Sequence, residues 1–473
     1  MKRRWGRLMG IILAGGVLMG CGQTQGAAQS LTADNGAMPN RTTQAEGEEP
    51  VGSGESAGNE RLAGNGESAG SSQPTGREGA AGSEQPAGSG QPMETEHEKE
   101  WNREDSDDVE TLRTFSWQLM TENMEQENPI LSPVSAYLAL GMVGMGAQGE
   151  TEEEFRALLG SNMPGVSQRL MEHYPREQEG MTLTIANSVW VDERLALREQ
   201  WIGDMEEIFR GEGRRGVLSS EEIMEQINGW CSDNTRGLVP TMLNQPFTAD
   251  TLLVLLDAVY FKGDWLIPFE ALNTRPRPFT VEDGTEKQVD TMSMSEAYLR
   301  YLHSELGEGV LLPYQGEDFA YVAILPREGM EARELQRQLT PEALDVLLES
   351  ENRELCNLRL PKYEVSFDRE LNDSLQAMGL IRAFDGDQAD FSGLEKTDQG
   401  SSLYVSLVKQ KAVFRVDEKG TEAAAVTMAV LDKCAAVMGP QPRELYFDRP
   451  FVYMILDMET RVPLFVGILD DPD

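Results

Sequence analysis

The sequence predicts an α+β fold. Helical periodicity comes first in the globular part of the chain, strand-like runs follow, and no regular strand–helix–strand spacing links them. Ser106 opens a segment that puts Val109, Leu112, Phe115 and Leu119 on one helical face. Ser132 and Pro133 read as an N-cap followed by proline at the first helical position. Thr151 and Glu154 read as a capping box ahead of Phe155, Leu158 and Leu159. Strands are predicted at 183–191, 252–261, 321–325, 403–407 and 451–456. Their mixture of continuous apolar runs and alternation argues against a doubly wound parallel sheet.

The chain divides into three parts. Lys2, Arg3, Arg4 and Arg7 precede an apolar run over 8–19, the pattern of an export signal. A membrane-spanning helix needs about 20 apolar residues, so the run is too short to be one. It ends in Leu18-Met19-Gly20-Cys21, which resembles the lipobox of bacterial lipoproteins. That resemblance implies acyl chains on Cys21 and display on the extracellular face of the cell membrane, with release as a further fate. Residues 22–104 are rich in Gly, Ser, Gln, Glu and Ala, too polar to bury a core, and read as a disordered tether. Such a coil spans roughly 50 Å root-mean-square, enough to lift a domain off a membrane. Two matches to GxSxG, at Ser56 and Ser68, fall in this tether. The strand-to-helix turn that activates such a serine has no sequence support there, so a hydrolase is disfavoured. Residues 105–473 form the globular domain.

Eighty acidic residues against 41 basic ones give a formal charge of −39, which argues against nucleic acid or a polybasic membrane contact. Cys21, Cys231, Cys356 and Cys434 are the four cysteines, too far apart in sequence for a disulfide scaffold or a CxxC site. Three histidines leave little material for a triad or a zinc site; His173 and His303 read as isolated surface or packing residues. Asp385, Asp387 and Asp390 sketch a calcium loop, but no glutamate closes the twelve-residue frame, and a solvated turn is the better reading. No metal and no cofactor is expected.

Several blocks of the domain together resemble the serpin family. They are Asn128-Pro129-Ile130-Leu131-Ser132-Pro133-Val134-Ser135, Gly146-Ala147-Gln148-Gly149-Glu150-Thr151, Asn228-Gly229-Trp230 with Thr235-Arg236-Gly237, and Tyr260-Phe261-Lys262-Gly263-Asp264-Trp265. Leu312-Pro313-Tyr314, Leu360-Pro361-Lys362, Ala389-Asp390-Phe391-Ser392-Gly393, Asp448-Arg449-Pro450-Phe451 and Phe465-Val466-Gly467 continue the series in the family's order. The resemblance implies helices around a large mixed sheet, smaller sheets, and an exposed reactive loop at about 418–446. It implies no catalyst in the chain, since an inhibitory serpin traps a protease by suicide cleavage.

The segment Glu418, Gly420, Thr421, Glu422, Ala423, Ala424, Ala425, Val426 and Thr427 resembles the hinge of such a loop. Alternation puts Thr421, Ala423, Ala425 and Thr427 on one small-sided face, suited to sliding between two formed strands. No proline interrupts 420–439, so every N–H there can join a sheet ladder. Family spacing puts the scissile bond between Cys434 and Ala435, suiting an elastase-like pocket. A cut after Lys433 instead implies a trypsin-like target, and one after Met438 a chymotrypsin- or subtilisin-like one; a cysteine protease is a further class. The partner is then a target protease, the inhibitor is expected to be a monomer, and a non-inhibitory binding or chaperone-like module is the rival reading.

The resemblance also assigns a sheet-opening cluster. The family commonly has Asn and His where this chain has Asp257 and Gln410. With Ser132 and Ser135 these are expected to rebuild a buried polar cluster, Gln410 donating to Asp257. Trp265 matches the aromatic residue beneath the hinge, and Lys362 is expected to face Glu418.

Overall fold

The strand Leu253–Asp264 is buried on both faces, which explains its continuous apolar run. Leu253 and Leu255 join the main core on one side, while Val254, Leu256 and Ala258 join a second core on the other. The computed structural model describes residues 106–396, 403–421 and 441–472. Cys21, the tether, the hinge residues Glu422, Ala423, Ala424, Ala425, Val426 and Thr427, and the bait residues Lys433, Cys434, Ala435 and Met438 lie outside the described residues.

Two sheets organise the described residues. In the hinge sheet the order is Tyr363–Glu370, Leu407–Val416, Gly420–Thr421, Leu253–Asp264, Met181–Asp192 and Arg176–Gln178, with Glu212–Gly216 also pairing with Met181–Asp192. The back sheet runs Ile130–Leu131, Pro463–Leu469, Phe451–Asp457, Phe319–Pro326, Gly307–Pro313, Glu286–His303, Asn352–Pro361 and Arg443–Tyr446, with Arg275–Thr280 pairing along Glu286–His303. The arrangement is α+β and mixed, as predicted. The helix Pro133–Gly144 is largely apolar and wholly buried, packed against both sheets. The helix Glu221–Asn234 covers the opposite face of the hinge sheet through Ile227 and Trp230. Among the described residues no helix is long and apolar enough to cross a membrane.

Three local expectations are corrected. The capping box at Thr151 and Glu154 does not form, because the helix Gly149–Leu159 starts two residues earlier. Thr151 Oγ1 instead accepts the Asp390 N–H at 3.0 Å, and Glu154 accepts the Ile381 and Arg382 N–H groups at 2.8 Å. The predicted strand 403–407 is a buried approach segment; the ladder begins at Leu407, opposite Val254, and continues to Val416. His173 is not isolated: its Nε2 lies 3.1 Å from Oδ2 of the buried Asp457, and this pairing holds the Asp457 carboxyl below its usual range against the opposing effect of burial.

Candidate functional site

The hinge begins where two strands part. Leu407–Val416 and Leu253–Asp264 run parallel and pair from Leu407 opposite Val254 to Lys411 opposite Ala258. There their ladder stops. At the far end Thr421 pairs with Val416 on one side and Gly263 on the other, and Gly420 pairs with Asp264. The two residues act as a wedge seated in the mouth of a sheet that is closed only at its other end.

Each contact of the wedge follows from residue size and backbone polarity. A Cβ on Gly420 would stand 1.9 Å from the Gly263 carbonyl oxygen, so only glycine permits this approach. Thr421 is buried, its hydroxyl 2.6 Å from the Tyr314 hydroxyl. Tyr314 in turn stacks on Trp265, with ring centroids 4.7 Å apart and 11° between planes. Trp265 therefore does lie beneath the hinge. Its indole N–H donates to the Asp417 carbonyl at 2.9 Å and its backbone N–H to the Lys419 carbonyl at 2.7 Å.

Glu418 is tied down from two sides. Lys362 Nζ donates to Oε2 at 2.9 Å and Thr274 Oγ1 to Oε1 at 2.8 Å. Burial acts to raise the Glu418 carboxyl, but the hydrogen bonds from Lys362 and Thr274 outweigh it and hold the group below its usual range. Because Lys362 is substantially exposed, this pair stabilises the seated wedge by less than about 1 kcal/mol. The sequence pointed to Lys362; Thr274 and Tyr314 emerge only from the folded geometry.

Deeper between the same strands lies the polar cluster. Gln410 Nε2 donates to the Ser132 carbonyl at 2.9 Å and to Asp257 Oδ1 at 3.1 Å, while its Oε1 accepts the Ser132 N–H at 3.0 Å. Gln410 thus links a strand edge to the start of the central helix. The Ser135 hydroxyl lies near enough to favour the charged form of Asp257, yet it falls outside hydrogen-bond geometry, and Ser135 Oγ and Asp257 Oδ2 have no partner among the described residues. Asn187, directly opposite Asp257 in the ladder, is also buried, with neither side-chain polar atom paired. A polar residue inside the apolar run 183–191 was the available signal for Asn187.

Complete burial pushes the Asp257 carboxyl up to about 7, since the contacts from Ser135 and Gln410 offset only part of the desolvation. The folded pKa therefore exceeds the unfolded one, and the native state holds the extra proton between them. Stability is full below about pH 4 for this group and declines, by up to about 1.4 kcal/mol per pH unit, until pH passes the folded value. Asp257→Asn should flatten this contribution and raise stability at pH 8. Urea unfolding of both proteins at pH 5 and pH 8 checks it; parallel profiles would remove Asp257 as the titrating group.

The comparisons agree with this geometry. The serpin (serine protease inhibitor) family profile matches residues 110–472. Iripin-8 of Ixodes ricinus is 33% identical over 360 residues, covering 72% of this chain and 88% of that protein. Alpha-1-antiproteinase S of Cavia porcellus is 31% identical over 366 residues, covering 75% of this chain and 87% of that protein. The crystal structure of the thermophilic serpin Tengpin in the native state superposes with a TM-score of 0.72 at 29% identity, covering 79% of this chain and 96% of Tengpin. An open-mouthed mixed sheet wedged by a glycine–threonine hinge, a second sheet behind it and these matches along the domain have one explanation: the chain belongs to the serpin family.

Proposed function

We propose that this serpin traps serine proteases by suicide cleavage of the loop that follows Thr421. The observation that carries the reading is the wedge: Gly420 and Thr421 already occupy the position of the first two residues of an added strand. The protease attacks the scissile bond through its own serine and forms an acyl-enzyme. The freed segment then follows Thr421 between Leu407–Val416 and Leu253–Asp264, drags the protease along and leaves the ester unhydrolysed. The serpin supplies no catalytic group, only the free energy of completing its sheet. A cut between Cys434 and Ala435 selects an elastase-like enzyme, one after Lys433 a trypsin-like enzyme, and one after Met438 a chymotrypsin- or subtilisin-like enzyme. Incubation with one protease of each class, followed by denaturing electrophoresis and mass spectrometry, tests the reading. A denaturation-stable complex and a cut within 433–439 support it; cleavage or binding without any such complex with every enzyme favours a non-inhibitory module.

We further propose lipid anchoring through Cys21, supported by the charged start, the short apolar run and the Leu-Met-Gly-Cys ending. Cys21→Ala should leave the protein unprocessed or move it from the detergent phase to the medium. Unchanged partitioning of the variant in a Triton X-114 separation would rule the anchor out.

A further inference from the structure

In a chain with 80 acidic and 41 basic residues, arginines without a carboxylate partner are conspicuous. Three of them share one face of the back sheet. On Arg275–Thr280, Arg275 lies opposite Thr291 and Arg277 opposite Val289 of the strand Glu286–His303. On Asn352–Pro361, Arg359 lies opposite Ser293 of the same strand. Thr291 pairs with both Arg275 and Pro361, so the two arginine-bearing strands flank it. Residues 289, 291 and 293 alternate onto one side, and the register carries all three arginines there with them.

None of the three forms an ion pair or a side-chain hydrogen bond with a described residue, and Arg277 Nε is buried without a partner. Desolvation, then the like charges of Arg359 and Arg275, push the Arg277 guanidinium below its ordinary value. Arg359 lies over the Tyr446 ring, 3.7 Å from its centroid. That ring belongs to Arg443–Tyr446, the strand by which the chain rejoins the fold after the loop. The arginine face is thus continuous with the base of the segment a protease would engage, and among the described residues no carboxylate pairs with it.

We infer that Arg275, Arg277 and Arg359 form a second contact surface for the protease held by the loop, matched to a carboxylate-rich face of that protease. The inference rests on the inhibitory reading and narrows its partner: among enzymes that fit the scissile bond, those with acidic surfaces beside the active site are captured faster. Charge complementarity acts mainly on the association rate.

The test uses pancreatic elastase before and after succinylation of its lysines, together with the Arg275→Glu/Arg277→Glu variant. An Arg156→Glu/Arg337→Glu variant serves as a charge-matched control, since both of those arginines are exposed helix residues elsewhere on the molecule. At low salt the cluster variant should associate with succinylated elastase about tenfold more slowly than the parent, and the control less than about twofold more slowly, the difference closing at high salt. Arg275→Glu alone, at an exposed position, should show the same direction and guards against misfolding of the double variant. Equal losses in cluster and control variants overturn the inference. So does a cluster effect confined to heparin binding, which would reassign the face to a free polyanion. Succinylated elastase blocked at its catalytic serine separates the two proposals, because it can dock but cannot be trapped. If active elastase forms no stable complex while blocked elastase still loses affinity for the cluster variant, the trapping reading fails and the contact surface stands.

Discussion

Cleavage anywhere within 433–439 is expected to raise the midpoint of thermal unfolding by about 20 °C or more. Nicking ordinarily frees chain ends and weakens a fold, so the expected sign is unusual. It follows from the mouth of the hinge sheet, where the ladder between Leu407–Val416 and Leu253–Asp264 ends at Lys411 and Ala258 and, among the described residues, only Gly420 and Thr421 lie between the strands beyond. A cut removes the tie to Arg443–Tyr446 and lets the chain after Thr421 continue along that track, bonding to both neighbours. At about 1 kcal/mol net per hydrogen bond, an added strand of about ten residues contributes on the order of 10 kcal/mol. At roughly 2 °C per kcal/mol for a domain of this size, that gives the expected rise. Calorimetry of intact and nicked protein in one buffer decides it: an equal or lower midpoint after a verified cut would sink the insertion mechanism.

Thr421→Arg should convert the inhibitor into a substrate. Thr421 is 2% exposed and its hydroxyl is engaged by Tyr314. A guanidinium placed there meets the Trp265 and Tyr314 stack with no carboxylate partner in that contact, and burying it unpaired costs several kcal/mol. The side chain is expelled and the wedge with it, so insertion slows relative to hydrolysis of the acyl-enzyme. The protease should cut the variant and leave, the number of inhibitor molecules consumed per enzyme inactivated rising at least about tenfold, since about 1.4 kcal/mol in the partition already gives that factor. Thr421→Ser keeps the hydroxyl and should stay close to the parent. Titration of residual protease activity reads both variants; parental stoichiometry in Thr421→Arg would show that this position does not enter the sheet.

The large features were legible because they rest on local periodicity and on steric demands of single residues. Helical spacing from Val109 to Leu119 and the two-sided apolar run of Leu253–Asp264 correspond to a helix and a central strand. Gly420 and Thr421 were expected in the hinge because their segment resembles the family's and continues into small residues, and the geometry adds the reason for glycine: the adjacent Gly263 carbonyl. Missed details were those in which a polar group had a choice of partner. Thr151 and Glu154 fit a local capping pattern, but distant N–H groups at Asp390, Ile381 and Arg382 took their oxygens. His173 had no visible partner in sequence because Asp457 is 284 positions away.

By itself the sequence determined the α+β class, the apolar run of the central strand and the small-residue segment around Thr421, since these follow from patterns spanning a few residues or from blocks in a fixed order. Only the tertiary structure decided how far the hinge is seated, that Tyr314 and Thr274 hold it, that Asn187 faces Asp257, and that three arginines from two strands meet with no carboxylate partner among the described residues. Each of these depends on sheet register and on burial, which set the distance and the dielectric between residues far apart in the chain, and a one-dimensional pattern carries neither.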